Sequence, residues 1–449
     1  NDFRQNRFYG IIGIAKVDWR NSVYLEVTGR NDFSSTLPEA NRSFFYPSTS
    51  LSWVFTENVD LPGLSFGKLR ASWAQVGKDA PPYAIGEYYR LGSNFPFGDV
   101  TGFGNTNVIG DPDLRPEITT SIELGADLRF FNNRLSFYVT YFNHLSEDLI
   151  LSVPISNSTG FSRFVTNAGS VRNVGWEVLA SATPYQKGSF SWDVTANWST
   201  YEGRVESIRE GIEEVEFFNP FYIVNKIEEG GNIGDLYGRP LERDDAGNVL
   251  LNDAGFPFVN TDTISRVGNA IPDWVAGITN TFRYKNWSAS VLIEYRKGGD
   301  LYDMGMRNAI RNGVHPWTVD RYQLATFNGV TADGELNEQE VEINGESLYR
   351  VFGGVNTSSD VILQDGSWIR LRRVSVSYSL PESWLDRISD GKIQGASLAF
   401  AGNNLWVNTP FVGFDPETNY LGSGSNVLGF TGLQTPQTRQ YDFTLRVTF

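Results

Sequence analysis

No stretch of this chain reaches the ~18 consecutive apolar residues that a membrane-crossing helix needs, yet segment after segment alternates apolar and polar side chains. A period of two marks a strand with two unlike faces. Runs of ~9–11 residues at that period match a tilted strand that spans a bilayer. In the last segment Tyr441, Phe443, Leu445, Val447 and Phe449 share one face, and Asp442, Thr444, Arg446 and Thr448 the other. Trp287, Ala289, Val291, Ile293 and Tyr295 oppose Ser288, Ser290, Leu292, Glu294 and Arg296 in the same way. The pattern recurs at 122–130, 135–141, 174–182 and 190–199. Two segments are less regular. Between Leu371 and Val374 the phase slips, which predicts a bulge or a shift in tilt, and Ile12 and Ile14 occupy the nominally polar side of Tyr9 to Trp19.

Soluble sandwiches alternate too, so further features must separate the cases. Short connections (20–21, 57–66, 132–133, 185–188, 285–286, 381–394) alternate with long ones (33–44, 78–115, 145–170, 205–272, 298–366, 408–438). Outer-membrane barrels sort their loops this way, short in the periplasm and long outside. Trp19, Trp53, Trp73, Trp192, Trp198, Trp274, Tyr284 and Trp287 stand where the apolar stripes end. There a ring half in hydrocarbon and half in headgroups is most comfortable. Phe449 closes the last outward face and resembles the terminal aromatic read by outer-membrane assembly machinery. The expectation is an all-β chain, 1–449 forming part of one transmembrane antiparallel barrel domain, in a bacterial outer membrane with its long loops extracellular.

Composition agrees. Aromatics make up 14%, with 45 Gly and only 2 Met, which suits strands and turns. A net charge of −15 without a basic cluster excludes a nucleic-acid partner. The absence of cysteine excludes disulfides and thiolate metal sites. His144 and His315 are the only histidines, and no HExxH, GxSxG, Walker or GxGxxG pattern occurs. No enzymatic activity and no cofactor are therefore expected. The oxygen-rich loop from Arg243 offers Asp244 and Asp245 as calcium candidates, although the spacing is not that of an EF-hand. FNPFYIV, with Phe218 and Tyr222, and HPWTVDRY, with Trp317 and Tyr322, are candidates to contact a ligand or partner, or to fill loop cores. RLRR at 370–373 is expected to pair with inward carboxylates such as Glu177 or Glu294, the alternative being an anionic ligand.

Thirteen strands are predicted, starting near Arg7, Ser22, Ser48, Lys68, Thr119, Arg134, Val171, Ser189, Asp273, Trp287, Ser367, Gly395 and Arg439. Bacterial single-chain barrels have even strand numbers. An odd count with the last strand running inward predicts that further strands come from another chain or another part of the same protein.

An ordered series of local sequences carries a family resemblance. It runs through GRNDFSS from Gly29, FYPSTSLSWVF from Phe45, LSFGKLRASWAQVG from Leu64 and DPDLRPE from Asp111. It continues with ELGADLRFFNNRLSFYVTYF from Glu123, NAGSVRNVGWEVLASATP from Asn167 and RKGGDLYD from Arg296. DGSWIRLRRVSVSYSLP from Asp365 and NNLW leading to TPFVGFDPE complete it. In this order they resemble the C-terminal barrel part of SusC/RagA-family TonB-dependent outer-membrane transporters of Bacteroidetes. The resemblance implies a 22-stranded barrel with an N-terminal plug and TonB box, neither of which is in this sequence. It also implies a SusD-like surface lipoprotein as lid, TonB as energy source, and import of oligosaccharides or peptides. The alternative is a SusC-like barrel that serves as scaffold in an outer-membrane assembly or secretion complex.

Overall fold

The computed structural model describes residues 4–91, 100–259, 261–319, 322–343, 358–390, 392–422, 424–425, 427–432 and 434–449. Among these, thirteen long strands form one sheet in which neighbours in sequence are neighbours in space. They are β1 (Phe8–Trp19), β2 (Val23–Ser34), β3 (Ser43–Val54), β4 (Leu64–Lys78), β5 (Glu117–Phe130), β6 (Leu135–Glu147) and β7 (Gly169–Lys187). β8 (Phe190–Ile208), β9 (Pro272–Tyr284), β10 (Trp287–Gly298), β11 (Trp368–Ser379), β12 (Gly395–Asn408) and β13 (Gln440–Thr448) follow. The thirteen strands expected from alternation are all present, and the short and long connections alternate as read from the sequence. β3 and β4 begin several residues earlier than expected. Pro47 lies within β3, opposite Gly29 of β2. In β4 a register shift between Leu64 and Phe66 hides the alternation.

The chain divides into two compact units, the first made of 1–178, 201–216 and 227–233, the second of 179–200, 217–226 and 234–449. In the first, β1 to β6 pair antiparallel, each with the next. In the second, the same holds from β8 to β13. The predicted bulge is found in β11. Leu292 and Ile293 of β10 face Arg373 and Leu371, which leaves Arg372 as the extra residue.

The outward stripes stay uncovered: Leu51, Leu124, Trp176, Trp287, Phe443 and Leu445 are all exposed. Water would make so large an apolar surface untenable, whereas hydrocarbon is the solvent a barrel wall requires. Trp19, Trp53, Tyr284 and Trp287 lie at strand ends, as girdles should, while Trp73 and Trp198 lie in strand interiors because β4 and β8 continue past them. In β1, Ile12 and Ile14 are 57% and 55% exposed, so the apolar residues on its second face are uncovered too.

Buried cores form at the strand ends and in the long connections instead of between wall faces. In the first unit, Leu37, Phe44, Ala80 and Leu114 make one cluster, and Val153, Ala168, Val171, Val205, Val215 and Ile227 another. In the second, Ile223, Leu236, Tyr302, Met304, Ile362 and Phe430 belong to a cluster drawn from three long connections. A helix, Met304–Arg311, is started there by Asp303, whose carboxylate accepts the Gly305 and Met306 N–H groups.

Candidate functional site: the roots of the long connections

Both arginines at the bulge of β11 turn to carboxylates that arrive from distant chain. Arg370 is only 3% exposed and donates from Nη2 to Asp415 Oδ1 at 2.8 Å. Its Nε lies 3.1 Å from Glu417 Oε2, an ion contact without hydrogen-bond geometry. The displaced Arg372 reaches Glu294 of β10 at 2.5 Å and Glu417 at 2.6 Å, and it donates to Asn404 Oδ1 at 2.9 Å and to Gln437 Oε1 at 3.0 Å. Both guanidinium groups also lie over the Trp368 ring. Glu294 is thus the partner expected from the sequence, and the other expected carboxylate, Glu177, makes no ion pair among the described residues. Asp415 and Glu417 were missed. The available signal was FDPE in the TPFVGFDPE stretch, an acidic pair flanking a proline, but nothing in the spacing connects it to residues 45 positions earlier.

The first unit repeats the arrangement with other motifs. Arg115 of DPDLRPE pairs with Asp148 at 2.9 Å. Its N–H donates to Asn167 Oδ1 at 2.8 Å, while Asn167 Nδ2 returns to Arg115 O at 2.9 Å and Asp148 O at 2.7 Å. Thr166 donates to Asp111 at 2.6 Å and accepts from Arg209 at 2.7 Å. These groups line a polar cavity of about 610 Å³ that opens to solvent. Nearby, the Tyr46 hydroxyl and Arg30 both meet the buried Asp32, and Ser34 and Thr36 both donate to Asp79. The segments GRNDFSS, FYPSTS, DPDLRPE, NAGS, RLRR and FDPE therefore act in pairs that fasten long connections to the wall. Each bond between an ion and a polar group at such a half-buried place contributes about 1.5–3 kcal/mol.

A third root in the second unit is acidic. Asp300 accepts the Asn269 N–H at 2.8 Å. Burial pushes its carboxyl above the ordinary value, and Asp365 and Asp273 push it further against the opposing effect of the Asn269 N–H and Arg266. Asp235 is almost fully buried and takes Arg266 at 2.7 Å and Asn269 Nδ2 at 2.8 Å.

The aromatic candidates are dispersed. Phe218 packs edge-on against the buried Phe430 at 4.9 Å between ring centres and lies near Tyr420 at 6.0 Å, so it fills a loop core. Tyr222 is 38% exposed and its ring lies over Arg239 at 4.2 Å. Phe221 beside it covers Arg307 at 4.0 Å. Both Phe221 and Tyr222 have positive φ, 55° and 68°, which bulky residues seldom adopt. Tyr322 is 72% exposed, and the side chain of Trp317 lies outside the described residues. Among the described residues no ring contact joins Phe218, Tyr222 and Tyr322. Asp244 turns its oxygens on its own loop, accepting the Ala246 and Asn248 N–H groups and the Asn248 amide. Those donors hold its carboxyl below the ordinary value. Asp245 is exposed, and among the described residues no group of three or more potential ligands gathers around a metal position.

Comparison with known proteins places this geometry. A family model described as TonB dependent receptor-like, beta-barrel, matches residues 1–405. TonB-dependent receptor P26 of Formosa agariphila is 25% identical over 484 residues, which cover all of this chain and 46% of the relative. TonB-dependent receptor SusC of Bacteroides thetaiotaomicron is 22% identical over 442 residues, 92% of this chain and 42% of the relative. Among solved structures, the RagAB peptide transporter superposes with a TM-score of 0.76 at 21% identity, over 99% of this chain and 48% of that one. The chain spans about half the length of the curated relatives it matches. Its thirteen-stranded sheet and the family match together identify the wall: the chain belongs to the TonB-dependent receptor-like β-barrel family.

Proposed function

We propose that this chain supplies wall and long external connections of a SusC-like TonB-dependent transporter that imports oligosaccharides or peptides across the bacterial outer membrane. The observation that carries the reading is the rooting of the long connections by ion pairs, that of Arg370 and Asp415 fully buried, within a barrel wall of this family. Connections that are folded and fastened can hold a shaped mouth open to large polar cargo, which loose loops cannot. In this reading the plug, the TonB box and the remaining strands belong to the protein outside these residues, and β1 and β13 pair with those strands. A SusD-like lipoprotein covers the mouth, and TonB supplies the energy. The resemblance to SusC and the likeness to the RagAB fold support the reading.

Growth on candidate glycans or peptides, with and without TonB, tests it, using the full protein and a variant lacking residues 298–366. Uptake that requires both TonB and that connection is expected. Uptake indifferent to both, with the protein instead held in a stable multi-protein assembly, would favour the scaffold role.

A further inference from the structure

On the outward face of the first unit, large and small residues are not evenly mixed. Register sets Leu51 beside Ala71 and Trp53 beside Leu69. It then sets Ala71 beside Leu124, Leu69 beside Ala126, and next Leu124 beside Tyr141 and Ala126 beside Val139. Two alanines thus form a floor among leucines, and Trp53 stands at one end of it. At the other end Trp176 and Tyr141 meet at 5.1 Å between ring centres. The result is a groove of about 670 Å³ whose walls are almost wholly apolar.

We propose that this groove seats one acyl chain of an inner-leaflet phospholipid as a fixed component of the barrel wall. The groove is continuous with the exposed apolar stripe that faces hydrocarbon, so its occupant comes from the bilayer. Five strands (β3 to β7) bound it. At ~4.8 Å between neighbouring strands they extend roughly 19 Å around the wall. Trp53 lies one residue from the end of β3 that leads into a short connection. In such barrels that end is periplasmic, which puts the groove's lower end in the phospholipid leaflet and away from lipopolysaccharide. A narrow, flexible, unbranched chain fits a trough with an alanine floor; the convex wall of a second barrel would bridge its rims and leave it empty.

The test uses the full-length protein, purified from outer membranes in mild detergent, supplied with palmitoyl-oleoyl phosphatidylethanolamine and examined by native mass spectrometry. The wild type is expected to retain phospholipid after extended detergent exchange. The double variant Ala71→Leu/Ala126→Leu, which fills the floor, should lose it while keeping the heat-modifiable mobility of a folded barrel. Ala289→Leu, the same change on the outward face of the second unit, should retain it. Undiminished phospholipid on the filled variant overturns the proposal. So does lipid A as the retained species, or a filled variant whose oligomeric state differs from that of the wild type.

Discussion

Arg370 holds its charge where almost no water reaches, and its worth depends on Asp415 being there to meet it. Removing one partner of such a pair strands the other, at a cost of about 3–5 kcal/mol. Arg370→Met is therefore expected to loosen residues 409–432, read as faster amide hydrogen exchange there, while Arg370→Met/Asp415→Leu should recover much of the protection. Asp300 behaves in the opposite sense. Its folded carboxyl binds a proton more readily than the unfolded one, so the stability it contributes is complete below the ordinary carboxylate value. That stability is lost as pH rises through the raised folded value. Asp300→Asn keeps an acceptor for the Asn269 N–H and removes the charge. Exchange protection around 265–270 and 300–303 should then equal or exceed wild type at neutral pH and lose its decline between acid and neutral pH.

At the level of the strand, the β11 bulge decides which way two arginines point. A one-residue change of register exchanges the faces of a strand, so the bulge keeps Arg370 and Arg373 on one face with Arg372 as the extra residue between them. Deleting Arg372 removes the bulge and leaves Arg370 facing its carboxylates, but strips Glu294 and Glu417 of the Arg372 guanidinium. The expected outcome is faster amide hydrogen exchange around Glu417, with the yield of heat-modifiable, folded protein in the outer membrane little changed. The partner strand yields as well: opposite Leu371 and Arg373, β12 skips from Trp406 to Asn403, and Asn404 takes a positive φ of 51° beside the Arg372 guanidinium. Small residues act similarly elsewhere. Gly125 leaves room for Arg70, which would otherwise lie 2.7 Å from a Cβ, to cross toward Asp127 and Thr140.

For the molecule as a whole, the two ends of the strand order matter most. Among the described residues β1 pairs only with β2 and β13 only with β12 within the sheet, and an unpaired edge in hydrocarbon leaves N–H and C=O groups without partners, each costing several kcal/mol. Residues 1–449 produced alone in detergent or liposomes are thus expected to give no heat-modifiable band on gels. Co-production with the strands proposed to complete the barrel should restore one.

How much of this was readable from residues alone follows from the range of each interaction. Alternation, short-turn signals and strand-end aromatics are local, so all thirteen strands, the sorting of their connections and even the bulge between Leu371 and Val374 were legible. The order of signature segments added the family. What those segments do was legible only in part: Glu294 was an expected partner of the RLRR arginines, but Asp415 and Glu417, 45 positions on, were not, nor was Asn167 as partner of Arg115 across 52. The alanine floor on the outward face was equally hidden, since Ala71 and Ala126 are ordinary strand residues until register brings them together. Period and composition determined a lipid-facing wall because each strand carries its own two faces. Ion pairs, loop cores and the groove were decided only by tertiary structure, because pairing brings together residues that no spacing relates.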